Sequence, residues 1–259
     1  MSKQNFKYIY GPVASWRLGA SLGVDPISQP EKICSFDCVY CQLGPTPELS
    51  SERKVFVPVA GIIEEINSLP DVRIDYITFS GRGEPTLAKN LGKMIRAVKK
   101  LRKEKVCVIT NGSLIDRKDV QDDLMSADLV LVKLDSADAG ILAAMNRPHP
   151  DIGFENIAEG LREFKARFKG RLAVQSMFVK ENKDSAKKIA QLCRRIKPDE
   201  VELNTPLRPC AEKPLSREEM ARITAIFSGL PMVCVYDARP PEVASLSGKD
   251  TLTRRGKTT

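Results

Sequence analysis

The stretch VCVITNGSLIDRKDVQDDLMSADLVLVKLDS, residues 106–136, decides the fold class. Its ends, VCVIT at 106–110 and LVLVKL at 129–134, are short β-branched runs that are almost continuously apolar, as strands covered on both faces must be. Between them, 118–126 reads as an amphipathic helix. A strand followed by a helix and another strand is the crossover that parallel pairing requires. The same alternation extends outward. Strands are expected at 21–24, 76–80, 172–178, 201–204 and 232–236, and helices at 59–68, 91–102, 139–145, 154–168, 184–196 and 217–227. Six or seven such units in about 220 residues are too many for a small doubly wound domain and too few for a full eight-unit barrel. The prediction is an α/β fold, a partial (β/α)6-type TIM barrel with parallel strands. No Pro-, Gly- or Ser-rich linker divides it, so residues 1–244 are expected to form one domain. The polar, basic end SLSGKDTLTRRGKTT, 245–259, is expected to be a flexible tail.

The 259 residues are 42% hydrophobic and 29% charged, a balance that suits a globular protein and excludes a membrane bundle or a stapled miniprotein. No apolar run approaches the ~20 residues of a bilayer span, and the start MSKQNFKYIYGP lacks a signal-like apolar core. A cytoplasmic protein with no membrane partner is expected. Lys and Arg number 41 against 33 Asp and Glu, and the net charge of +8 is compatible with a polyanionic partner. Many of these cations fall in helix-like stretches, where a solvated outer face accounts for them. Seven cysteines stand against one histidine, His149. That count excludes a multi-histidine metal site, and an odd number of partly clustered cysteines indicates ligands in a reducing compartment rather than disulfides.

The cluster is Cys34-Ser-Phe-Asp-Cys38-Val-Tyr-Cys41. Gaps of three and two residues let three soft thiolates converge from one loop, as they do around iron–sulfur clusters or zinc. A structural zinc site closes with four protein ligands, and no second cysteine or histidine pair lies nearby. A [4Fe–4S] cluster held by three thiolates keeps one iron free for an exogenous ligand.

CSFDCVYC resembles the cluster loop of the radical S-adenosylmethionine (SAM) enzymes, with Tyr40 in the aromatic place before the last cysteine. The resemblance implies that Cys34, Cys38 and Cys41 ligate a [4Fe–4S] cluster whose open iron chelates SAM. It further implies an oxidoreductase-type, metal-binding enzyme that needs a reductant such as ferredoxin or flavodoxin. Later segments extend it. Ser80-Gly-Arg-Gly-Glu-Pro-Thr86 is similar to the glycine-rich segment that receives the methionine ammonium, which implicates Gly81, Gly83 and Glu84; glycines admit close backbone approach and a carboxylate offsets an amine. Thr110, Asn111 and Gly112 end a strand at the mouth where barrel enzymes build their sites. Lys133 and Asp135 share one strand face, either as a structural pair or turned to a polar cavity. By resemblance Asp135 or Ser136 lies near the cofactor ribose.

Gln175, Met177 and Lys180 on and just past the fifth strand can face the same cleft. The sixth ends in ELNTPLRPC, which places Asn204, Thr205, Arg208 and Cys210 at the mouth. Lys133 and Cys210 are the candidate catalytic residues. Cys107, Cys193 and Cys234 read as small core residues, and His149, between two prolines, as a turn position.

Together with the start at Tyr10, CVYCQLG, SGRGEPTL, ITNGSL, NRPHP and LNTPLRP resemble a subgroup related to the wyosine-forming tRNA enzymes, across residues 10–210. Those enzymes carry a second cluster on upstream cysteines, whereas no cysteine precedes Cys34, so a single cluster is expected. The substrate is then a tRNA nucleotide or, alternatively, a small metabolite, peptide or protein glycine. The non-enzymatic alternative is an electron-transfer or zinc-binding module.

Overall fold

The structure, a computed structural model, describes residues 6–256. An antiparallel hairpin of β1 (Ile9–Ser15) and β2 (Gly19–Val24) opens the sheet. The loop that follows carries two short parallel strands, β3 (Ile33–Cys34) and β4 (Glu48–Leu49). The remaining order is α1 (Val59–Asn67), β5 (Tyr76–Phe79), α2 (Leu91–Leu101), β6 (Lys105–Thr110), α3 (Lys118–Leu124), β7 (Leu129–Lys133), α4 (Ala139–Met145) and α5 (Phe154–Arg167). It continues with β8 (Arg171–Met177), α6 (Ala186–Ile196), β9 (Glu200–Asn204), α7 (Arg217–Ile226), β10 (Met232–Cys234) and α8 (Gly248–Arg255). The main sheet runs β1-β2-β5-β6-β7-β8-β9-β10, parallel from β2 onward. β1 and β10 are not paired with each other among the described residues. This is the open parallel wall of a partial barrel, as the strand–helix repeat predicts.

Alternation along the strands sorts the side chains onto two faces. Val106, Val108, Val130, Val132, Leu172 and Val174 point outward and join the helices in the main core. Cys107, Leu129, Leu131 and Ala173 point inward and form a smaller core with Leu18. One step further along the strands the inner face turns polar, with Lys133 beside Gln175 and Gln175 beside Glu202 in register. The helices follow the same logic. In α2, Leu91, Met94, Ile95 and Val98 are buried while Lys99 and Lys100 occupy the last turn, the amphipathic division that ties a helix to a sheet. Each such side chain contributes roughly 1.5–3 kcal/mol on full burial.

Two elements depart from the sequence-based expectation. No strand is expected at residues 9–15, yet β1, which contains Gly11 and Pro12, is an edge strand with a register shift between Tyr10 and Val13, the setting in which proline is tolerated. Residues 245–256, expected as flexible tail, fold back onto the barrel. Ser247 caps α8 through the Asp250 amide, Leu246 donates its amide to the Gly11 carbonyl at 2.8 Å, and buried Arg254 faces Asp25 at 3.4 Å. Its polar composition hides this docking because most of the contacts are ionic or main-chain, with Leu246 adding apolar packing against the core. Residues 257–259 lie outside the described residues.

Candidate active site

The cysteine loop lies over the carboxyl ends of the strands, fastened from both sides. On one side, the Asp37 and Val39 amides donate to the carbonyls of Asn146 and Met145 at the end of α4, at 2.9 and 3.0 Å. His149 serves the same edge through its backbone, donating its amide to the Ser35 carbonyl at 2.9 Å, which fits the turn position expected of it. On the other side, Ile33 and Gly83 form a parallel bridge. The backbones approach so closely that a Cβ on Gly83 would lie 1.8 Å from the Ile33 carbonyl oxygen, so only glycine fits there.

Each cysteine sulfur has its own N–H donor from a different part of the chain. The Asn111 side-chain amide lies 3.7 Å from Cys34 Sγ, the Asn146 amide 3.3 Å from Cys38 Sγ, and the Lys32 ammonium 3.2 Å from Cys41 Sγ. No three His, Cys, Asp or Glu side chains among the described residues are arranged to hold a single metal ion. Three thiols from one loop suit a [4Fe–4S] cluster with one open iron better than a structural zinc, which closes with four protein ligands. Burial raises the Cys34 thiol and pushes that of Cys38 up to about 11, so without metal both stay protonated and metal binding must release their protons.

The carboxylates named from the sequence are committed to the protein. Glu84 Oε1 accepts from the Thr86 amide at 2.9 Å, the Thr86 hydroxyl at 2.7 Å and the Thr110 hydroxyl at 2.6 Å, while Oε2 accepts from the Asn111 amide at 2.7 Å. Burial raises its pKa and these four donors oppose the rise. Glu84 therefore braces the strand ends, and what its segment can offer a ligand is the backbone around Gly81 and Gly83. Asp135 is equally engaged. Oδ1 accepts from the Met177 amide at 2.7 Å and faces the Lys133 ammonium at 3.1 Å; Oδ2 accepts from the Tyr40 hydroxyl and from the Asn146 amide at 3.1 Å. Asp135 and its neighbour Ser136 are both buried.

A cavity of about 390 Å³ opens beside the loop, lined by Tyr40, Cys41, Lys133, Gln175, Met177 and Asn204, with Arg17, Arg208 and Arg255 on the same wall. Cys210 stands apart from it. It lines a second recess, of about 270 Å³, with Cys38 and Cys41, and its thiol, raised by burial, donates to the Glu212 carbonyl at 3.3 Å. Cys107, Cys193 and Cys234 are buried in the cores, as expected. Sequence reasoning missed Lys32 and Asn146. The second lies in the quoted NRPHP segment, where an asparagine ending a helix offered the only signal.

The fold is a partial barrel with a loop of three cysteines beside the cavity at its mouth. The profile of the radical SAM superfamily matches residues 30–193, and the chain belongs to that superfamily, whose enzymes use a [4Fe–4S] cluster and SAM. Within it, the chain is 44% identical over 214 residues to a UPF0026 protein of Synechocystis, covering 82% of this chain and 79% of that one. Streptococcus suis SuiB bound to S-adenosylmethionine shares the fold with TM-score 0.61 and 16% identity over 79% of this chain, which spans 48% of that structure. Archaeal TYW1 aligns with TM-score 0.52 and 17% identity over 80% of this chain and 70% of its own. Among the described residues no helix is long and apolar enough to cross a membrane.

Proposed function

We propose that Cys34, Cys38 and Cys41 each hold one iron of a [4Fe–4S] cluster and that the chain uses it to start radical chemistry on a substrate in the neighbouring cavity. A cluster held there would supply, once reduced, the single electron for reductive cleavage of SAM to methionine and 5′-deoxyadenosine, the hydrogen atom coming from substrate. The observation that carries this reading is the set of three thiols from one loop, each with its own N–H donor, at the rim of a cavity lined by Tyr40 and Cys41. The chain's residues have three tasks. Asn111, Asn146 and Lys32 orient the sulfurs and offset their charge. The backbone at Gly81–Gly83 offers acceptors for the methionine ammonium, with Glu84 and Asn111 keeping that segment in place. Tyr40, pinned to Asp135 and Asn146, forms the wall between loop and cavity and helps exclude water from a reactive species. The recess beside Cys38 and Cys41 offers an approach for an electron donor such as ferredoxin or flavodoxin.

The test is anaerobic reconstitution followed by dithionite reduction in the presence of SAM. The wild type is expected to produce 5′-deoxyadenosine, and a Cys34, Cys38 and Cys41 triple alanine variant to lack both cluster absorbance and product. A full cluster in that variant, or no SAM cleavage by a fully loaded wild type, would leave the electron-transfer or zinc-binding reading in its place.

A further inference from the structure

The cavity beside the cysteine loop carries a positive wall in which, among the described residues, Arg17 alone has a carboxylate partner. Arg17 comes from the β1–β2 turn, Arg208 from the segment after β9, and Arg255 from the last turn of α8. These three stretches are distant in sequence, and Arg255 joins the other two because α8 folds back. Among the described residues neither Arg208 nor Arg255 is ion-paired with a carboxylate; Arg208 reaches only Gln42 Oε1, at 3.4 Å. Arg17 faces Glu202 at 3.5 Å, a carboxyl that also accepts from Gln175 at 2.7 Å, and Arg17 Nε is buried with no partner. The arginines act on one another. Burial lowers the pKa of Arg208, with the charge of Arg17 adding to it, and burial with Arg208 and Arg17 nearby brings Arg255 down to about 10. Like charges gathered at one half-buried wall disfavour the empty protein, and a bound anion offsets that cost.

From this wall we infer that the cavity takes a phosphomonoester, with the phosphate seated among Arg17, Arg208 and Arg255 and the rest of the molecule reaching toward Tyr40 and Cys41. Three planar guanidinium forks match the several oxygens and double charge of a phosphomonoester better than the single charge of a carboxylate or phosphodiester. The volume, about 390 Å³, accommodates a molecule of mononucleotide size. Trp16, Met177 and Leu207 supply apolar wall for a ring or short chain. The inference deepens the reading above and rests on it for the chemistry that follows binding. The binding itself needs neither electron transfer nor SAM cleavage.

The test measures calorimetric binding of inorganic phosphate and adenosine 5′-monophosphate to the reconstituted full chain at saturating SAM. Both are expected to bind, and Arg208→Met and Arg255→Met each to weaken binding by about tenfold or more, the effect of losing a charge-assisted contact. Arg255→Lys is expected to keep part of the affinity, and Arg162→Met, on the exposed face of α5, all of it. Should Arg255→Met fail to fold, Arg208→Met in the loop carries the test. The inference is overturned by no binding at millimolar probe, affinity indifferent to the arginines, displacement of SAM by phosphate, or equal binding of succinate. Tighter, arginine-dependent binding of tRNA would overturn it in favour of an RNA substrate. Phosphate binding without any SAM cleavage would leave this site standing and defeat the radical reading alone.

Discussion

Glu84→Gln separates a brace from a ligand contact. The wild-type carboxylate accepts four hydrogen bonds inside the protein, three on Oε1 and one on Oε2, and its side chain is buried. A glutamine has one acceptor end. With its NH2 at the Oε2 position, the Asn111 amide loses its acceptor and meets a donor. With the NH2 at the Oε1 position, the Thr86 and Thr110 hydroxyls can turn to accept, but the Thr86 amide loses its partner. Either way one buried backbone N–H is orphaned, which costs about 1–3 kcal/mol, and the remaining bonds lose the added strength of an ionised acceptor. The expected loss is about 2–4 kcal/mol, read from urea unfolding of the full chain without cluster. Because Asn111 also donates to Ser35 in the cysteine loop at 2.8 Å, iron incorporated per chain is expected to fall as well. Stability within about 0.5 kcal/mol of wild type, together with weaker SAM binding, would refute the bracing argument and return Glu84 to direct ligand contact.

Lys32→Met removes the cation 3.2 Å from Cys41 Sγ; the midpoint potential of the reconstituted cluster, followed by EPR during redox titration, is expected to drop by an amount on the order of 59 mV, a tenfold shift for one electron, and an unchanged potential would deny Lys32 that role. Arg254→Met leaves Asp25, 0% exposed, with the Ile27, Ser28 and Arg82 amides as donors but without its cationic partner, and thermal unfolding is expected to reveal a loss of about 1–3 kcal/mol; a neutral result would mean that α8 docks without this pair. Burial holds the Glu202 carboxyl above the ordinary 4.5 of a glutamate, opposed by Arg17, Gln175 and Lys133 and assisted by Glu200. The folded state thus keeps a proton that the unfolded chain releases, so this group's contribution to stability is full at low pH and declines as pH rises through the folded value. Glu202→Gln removes that slope, and urea midpoints from acid to neutral pH should shift in the variant's favour; a constant difference would contradict the assignment.

The parallel barrel was legible because its strands are buried on both faces. A run such as LVLVKL announces a covered strand without reference to its neighbours, and all seven strands and seven helices expected from such runs are present, most boundaries agreeing within two residues. β1 and α8 escaped for the opposite reason: one interrupts its strand with Gly11-Pro12 at an edge, and the other docks by Arg254 and main-chain bonds rather than an apolar stripe. The candidate site divides along the same line. Spacing is a local property, so the three-cysteine loop of Cys34, Cys38 and Cys41 could be read directly from the chain. The partners of a side chain are not local. Glu84 and Asp135 stand out in the sequence as carboxyls beside strand ends, but only the folded backbone shows their oxygens filled by Thr86, Thr110 and Asn111, or by Tyr40, Lys133 and Asn146.

What the sequence by itself determined is the alternation that builds the wall and the loop of three thiols, because periodicity and short spacing are written within a few residues. What only the tertiary structure decided is the environment of those thiols and the charge of the cavity beside them. Lys32, Asn111 and Asn146 reach the sulfurs, and Arg17, Arg208 and Arg255 reach one another, only after chain closure brings turns, strand ends and the last helix to one rim. Electrostatic energy depends on that separation through space and on burial, and neither can be counted along the chain.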